Sequence, residues 1–157
     1  MIHRSKPEPD AGAEAPLALR LFRDDDFDAV VELWRACGLV VPRNDPARDI
    51  AFCRASVQSG LFVGEIDGRV VATAMAGHDG HRGWLYYVAV APERRGAGLG
   101  RRMVDHAEAW LASLGVSKVN LMIRETNVDV RGFYEQLGYV VEPRTVMARR
   151  LATEPIS

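Results

Sequence analysis

The chain has 157 residues, 48% of them hydrophobic, and a formal net charge of −1. That length suits one domain whose core needs no covalent staples, and the near-neutral charge argues against general nucleic-acid binding, which usually needs a basic face. No apolar run approaches the ~20 residues that cross a bilayer, so no membrane span is expected. The two cysteines, Cys37 and Cys53, lack CxxC spacing and read as small buried groups of a cytoplasmic protein.

In chain order, residues 1–16 combine prolines with small polar residues, carry no apolar segment of the secretory type, and read as a disordered extension. Residues 17–151 read as a single domain and 152–157 as a tail. Leu17, Leu19 and Leu21 alternate with Ala18 and Arg20, which predicts a strand over 17–22. Asp24, Asp25 and Asp26 then sit where a helix start favours carboxylates. Phe27, Val30, Val31 and Trp34 follow at helical spacing, with Gly38 as the stop and Trp34 as a core residue. Asp45 and Pro46 make a second helix start, with Ile50, Cys53 and Val57 as its apolar stripe and Gly60 as its end. Residues 61–66 and 69–77 read as antiparallel strands closed by the two-residue turn Asp67-Gly68. After a polar connection over 78–83, residues 84–91 are apolar on both faces, which predicts a central strand.

Arg94-Arg95-Gly96-Ala97-Gly98-Leu99-Gly100 joins that strand to an amphipathic helix carrying Leu99, Met103, Ala107, Trp110, Leu111 and Leu114, with Gly115 as its C′ residue. A glycine-rich turn at a helix N-terminus presents several backbone N–H groups to an anion. Arg94, Arg95, Arg101 and Arg102 crowd the same end, against the helix dipole, a placement that a bound polyphosphate turns favourable. A P-loop needs Gly-Lys-Ser/Thr here, whereas Gly100 is followed by Arg101 and Arg102. A dinucleotide turn needs G-x-G-x-x-G early in the fold, with an acidic residue about 20 positions on. The glycines here run G-x-G-x-G, mid-chain, and Glu125 lies too late. A nicotinamide-dependent oxidoreductase is therefore a distant alternative.

Residues 116–123 read as a strand parallel to 84–91, because a helix crosses between them. Asn127 caps a helix running to Leu137 that Gly138 stops, and residues 139–141 and 145–151 complete the sheet. The fold class is α+β, a mixed and mostly antiparallel sheet with one parallel pair, flanked by about four helices.

Several of these segments, in this order, resemble the GNAT superfamily of N-acetyltransferases. Arg95-Gly96-Ala97-Gly98-Leu99-Gly100 matches its R/Q-x-x-G-x-G/A signature, and the match extends upstream through Tyr87-Val88-Ala89-Val90-Ala91-Pro92-Glu93. Downstream it takes in Asn127 and Phe133-Tyr134-Glu135-Gln136-Leu137-Gly138-Tyr139, similar to the family's closing FYxxLGY motif. Asp79-Gly80-His81-Arg82-Gly83 and Asn44-Asp45-Pro46 are similar to the bacterial YpeA-like branch. The resemblance covers roughly residues 17–150.

It implies that the parallel pair splays and that acetyl-CoA is the acyl donor, with no metal. The amides and side chains of Arg95, Gly96, Ala97, Gly98, Leu99, Gly100 and Arg101 would then hold the pyrophosphate. The backbone of Val88, Ala89 and Val90 would lie along the pantetheine as an added strand does, with an amide near Val90 polarising the thioester carbonyl. Asn127 would contact the cofactor or only cap its helix. Tyr134 would be the general acid that protonates the departing thiolate.

No single base stands out among Asp79, His81, Tyr87 and Glu125, and His106 reads as a surface residue. His78 and His81 have no third ligand at metal spacing. The acceptor is an amine, whether of a small molecule, a peptide N-terminus or a lysine. The C-terminal strands offer a route to a homodimer. A non-catalytic coenzyme A-binding regulatory module is the other alternative.

Overall fold

The computed structural model describes residues 16–152; the expected extension (apart from Pro16) and most of the expected tail lie outside the described residues. The chain divides into two compact units, one ending at Met122 and the other starting at Ile123.

The first unit is built on five strands in the order β1 (Ala18–Leu21), β2 (Ser59–Ile66), β3 (Arg69–His78), β4 (Gly83–Val90) and β5 (Val119–Asn120). The first four pair antiparallel, and β4 pairs parallel with β5. Asp67 and Gly68 close β2 onto β3 with φ of 50° and 75°, the left-handed pair that a two-residue hairpin turn demands.

One face of the sheet carries α1 (Phe27–Ala36) and α2 (Pro46–Arg54). Val30 and Trp34 of α1 are fully buried against Leu61, Val63, Val71 and Ala89, and Ile50 and Cys53 of α2 join the same cluster. Gly38 ends α1, its N–H bonded to Arg35 O and that of Leu39 to Trp34 O, as a C-terminal glycine permits. Asp45 caps α2 by accepting from Ala47 N at 3.0 Å. The three aspartates before α1 form a 3-10 turn (Asp24–Asp26) rather than its first turn. Asp26 is buried there because Arg20 grips it at 2.7 and 2.9 Å while also reaching Glu65.

The other face carries α3 (Leu99–Ser113). Met103, Val104, Ala107 and Leu111 are fully buried, and the small residues Ala72, Ala74 and Ala76 of β3 let the helix sit close. Gly83 belongs to the same packing: a Cβ there would stand 2.9 Å from Val116 Cγ1 and 3.0 Å from Leu111 Cδ1.

Four expectations need correction. Val57 lies beyond α2 and is 92% exposed, since the helix stops at Arg54 and Gly60 has become part of β2. Leu114, past the end of α3, is 43% exposed. His106 is half-buried, its ring edge-on to Phe62 at 5.0 Å, so it packs rather than floats in solvent. Cys37 is half-buried rather than buried.

The parallel strand is also much shorter than 116–123. Only Gly83 and Trp84 of β4 oppose β5, at Val119 and Asn120. A register shift interrupts the β3–β4 ladder between Thr73 and Met75, and a bulge bends and over-twists its strand, carrying it away from a straight neighbour.

The second unit holds α4 (Val128–Gln136), capped by Asn127 Oδ1 accepting from Val130 N at 3.4 Å and closed at Gly138 with φ 94°. Residues 139–141 and 145–151 form no strand. Val140, Val141, Val146, Met147 and Leu151 are all exposed. A strand needs a ladder partner, and among the described residues none pairs with these segments.

Candidate active site

The site begins where β4 loses its second neighbour. Among the described residues no strand pairs with the β5 side of β4 beyond Trp84. Opposite β3, Tyr86 faces Met75 and Ala89 faces Thr73, so Tyr87 and Val88 together oppose the single residue Ala74. Tyr87 takes φ 49°, a conformation costing roughly 1–3 kcal/mol for a side chain of this size.

Three contacts hold Tyr87 in that state. Its ring stacks on Trp34 with centroids 3.9 Å apart and planes 14° off parallel. Its hydroxyl donates to Asp49 Oδ2 of α2 at 2.5 Å. Its carbonyl accepts from Thr73 Oγ1 at 2.8 Å, and Thr73 Oγ1 in turn accepts from Trp34 Nε1 at 2.9 Å. Thr73 and Trp34 are fully buried.

This geometry sets the direction of two amides. The peptide between Tyr87 and Val88 is trans, so a carbonyl aimed at Thr73 turns the Val88 N–H the opposite way, off β3. Ala91 N donates to Val71 O at 2.8 Å, and Val90 opposes Ala72. In the antiparallel alternation Val90 therefore also turns its N–H away from β3, while Ala89 takes the inward position.

A 3-10 turn (Pro92–Arg94) leads from β4 to the glycine turn. Gly96 and Gly98 have φ of 82° and 77°, and a Cβ on either would meet no atom within 4 Å. The left-handed backbone needs glycine at both places, and the space beside it is open. Gly98 is the N-cap of α3, with no side chain to cap the helix and no acidic residue in the first turn. The first amides of α3, those of Leu99 and Gly100, fall among the N–H groups that a helix leaves without an internal partner. Arg95, Ala97 and Arg101 are exposed beside them, while the Leu99 side chain is buried and anchors the turn. Arg95 Nη2 lies 3.7 Å from Cys37 Sγ, and that thiol contacts Val90 O at 3.3 Å, tying the turn to the end of β4. Arg102 points elsewhere, donating to Leu17 O at 3.2 Å.

Val88, Ala89, Val90 and residues 95–101 are thus continuous in the first unit. Asn127 and Tyr134 belong to the second, the N-cap and the one buried residue of α4. Burial pushes the Tyr134 phenol up to about 12, so it keeps its proton throughout the neutral range. Phe133 and Tyr139 meet its ring edge-on at 4.9 and 5.4 Å.

Among the four candidate bases, two are committed elsewhere. Asp79 accepts from the amides of His81 and Arg82 and from Trp84 Nε1, and these bonds lower its carboxyl to about 2. Burial and the bond to Asp49 push the Tyr87 phenol well above its ordinary range. His81 and Glu125 are exposed. Among the described residues no three His, Cys, Asp or Glu side chains are grouped to hold a metal, and no helix is long and apolar enough to cross a membrane.

Sequence reasoning passed over Thr73 and Asp49. A signal for Thr73 was present: it is the one polar residue between Val70 and Gly77, and a buried hydroxyl requires partners.

A mixed sheet with one splayed parallel pair, followed by a glycine turn and helix, defines a class of fold, and three comparisons give its family. Residues 27–139 match the Acetyltransferase (GNAT) family. An acetyltransferase of Pectobacterium atrosepticum is 39% identical over 135 residues, covering 86% of this chain and 96% of that protein. The crystal structure of a Trypanosoma brucei acetyltransferase is 27% identical with TM-score 0.67, covering 86% of this chain and all of that one. Aminoglycoside N-acetyltransferase AAC(6')-Iy in complex with CoA shares the fold at TM-score 0.78 and 14% identity, over 90% of this chain and 99% of that one. The chain belongs to the GNAT acetyltransferase family.

Proposed function

We propose that the chain transfers an acetyl group from acetyl-coenzyme A to a primary amine by direct attack in a ternary complex, acting in the cytoplasm. The observation that carries this reading is the glycine turn. Two left-handed glycines with open space beside them, exposed arginines and an uncapped helix start follow directly on a strand edge that has lost its neighbour. A diphosphate would lie over these amides, where Gly96 and Gly98 present no side chain and the helix start is uncapped. The CoA complex of AAC(6')-Iy supports the choice of carrier; at 14% identity its aminoglycoside acceptor is not carried over.

In this reading the amides of residues 96–100, with Arg95 and Arg101, bind the diphosphate. The backbone of Val88, Ala89 and Val90 pairs with the amide-bearing arm, and the acyl carbonyl oxygen meets an N–H of β4. Acetyl-coenzyme A supplies an activated acyl group on a sulfur leaving group. Tyr134 donates its proton to that sulfur as it departs. With its phenol at about 12, complete transfer to a thiolate of ordinary pKa near 8.5 is uphill by about 1.4 kcal/mol per unit of difference, so donation is coupled to C–S cleavage. Asn127 caps α4 and contacts the carrier. A cationic amine must lose its proton before attack, and His81 and Glu125 are the candidate bases left uncommitted.

The test is thermal melting followed by turnover against pooled amines and N-terminal peptides. At 100 times Kd, acetyl-CoA and CoA should each stabilise the fold by about 2.7 kcal/mol, while NAD leaves it unchanged. Tyr134→Phe should lower turnover by about 100-fold or more with CoA affinity retained. Stabilisation by NAD alone, or none by CoA, would reject the reading.

A further inference from the structure

We propose that Thr73 is a positioning residue for acyl transfer: its hydroxyl, oriented by Trp34 Nε1, holds the Tyr87–Val88 peptide so that the Val88 N–H faces the acyl carbonyl of the bound thioester. The proposal rests on the acetyl-coenzyme A reading above.

The geometry has three parts. First, the Tyr87 carbonyl has left the regular ladder, because Tyr87 and Val88 share one partner on β3. A carbonyl at such a bulge has no fixed backbone donor. Thr73 supplies one from its side chain at 2.8 Å, and this bond decides which way the peptide plane turns. Second, a hydroxyl rotates freely unless something fixes it. The indole N–H of Trp34, at 2.9 Å, takes the acceptor side of Thr73 Oγ1 and leaves its single proton for Tyr87 O. Third, the chain is dry. Trp34 and Thr73 are fully buried, and among the described residues every buried side-chain nitrogen or oxygen has a partner.

A valine matches threonine in shape and suits a buried strand, but it would leave the buried Trp34 Nε1 without its acceptor and the Tyr87 carbonyl without its donor. The hydroxyl satisfies both, and in doing so it fixes the peptide whose N–H is turned to the open side of β4. Because the amide is set before substrate arrives, stabilisation of charge on the carbonyl oxygen needs no reorganisation at the moment of reaction. Trp34 and Asp49 act on the same residue, one stacked on its ring and one holding its hydroxyl.

The experiment is difference infrared spectroscopy of carbonyl-13C-labelled acetyl-CoA bound to the full chain, with calorimetric affinities for CoA and acetyl-CoA. In the wild type and in Thr73→Ser, which keeps the hydroxyl, the thioester carbonyl band should move to lower wavenumber than in water. In Thr73→Val it should return toward the free position. The preference for acetyl-CoA over CoA should fall by about 2- to 10-fold, as for loss of one neutral hydrogen bond, with CoA affinity itself unchanged. Trp34→Phe retains the stacked ring and removes the indole donor; it should shift the band the same way by less, and it serves as the readout if Thr73→Val does not fold. A melting temperature lowered by Thr73→Val with the band where the wild type has it would overturn the proposal and leave a structural role. Failure of the wild type to bind either form of coenzyme A would instead remove the reading beneath it.

Discussion

The two ends of β4 teach different things. At Gly83 and Trp84 the strand is paired on both sides, with β3 and with β5, and its residues serve packing: Gly83 admits Leu111 and Val116 at contact distance, and the Trp84 indole is held by Asp79. From Tyr87 to Val90 the strand is paired with β3 alone. There it carries a bulge, a left-handed tyrosine and buried side chains that hold its peptide planes in place. Full pairing satisfies the backbone and leaves it nothing to offer a ligand. One-sided pairing leaves N–H groups directed outward, and their geometry has to be set by side chains instead.

Substitutions at the two ends should therefore separate stability from binding. Trp34→Ala, beneath the bulge, should have the largest effect. It removes a fully buried ring, the stack on Tyr87 and the donor to Thr73, at a cost of about 3–5 kcal/mol in chemical denaturation. Gly98→Ala, past the open end, should cost about 1–2 kcal/mol for its left-handed backbone and also weaken CoA binding measured by calorimetry; unchanged affinity would take Gly98 out of the cradle. Gly83→Ala, at the closed end, should cost about 1 kcal/mol through overpacking and leave CoA affinity intact, which is the contrast that most sharpens the comparison.

The smallest effect is expected from Asp79→Asn, read as a pH profile. The folded carboxyl, lowered to about 2 by its hydrogen bonds, lies below its unfolded value near 3.9. The stability it contributes is present above about pH 4 and disappears as pH falls through about 2. Melting curves of wild type and Asp79→Asn should differ at neutral pH and converge in acid.

Much of this was legible in the sequence because local signals agree with the fold. Asp45-Pro46, Asp67-Gly68, Gly98, Gly115 and Asn127 each fix their own turn or cap through short-range chemistry, and the glycine turn gave the cradle residues in one stretch. What was missed depends on contacts distant in sequence. The apolar run over 84–91 has no polar alternation to betray a bulge, although Tyr86 within it is 45% exposed. The partnership of Thr73 with Trp34 spans 39 residues and that of Tyr87 with Asp49 spans 38. A strand over 145–151 would need a ladder partner, and the local sequence says nothing about whether one is available.

The central claim is that the amides of residues 96–100 bind the diphosphate of coenzyme A, and an amide-resolved NMR titration of the 15N-labelled full chain with CoA tests it most directly. The account predicts that the Gly96, Gly98 and Gly100 cross-peaks, isolated in the glycine region, undergo the largest and saturable shifts, with pantetheine, which lacks the diphosphate, leaving them unmoved. Saturable binding of CoA with those three peaks in place and the shifts concentrated elsewhere would contradict it.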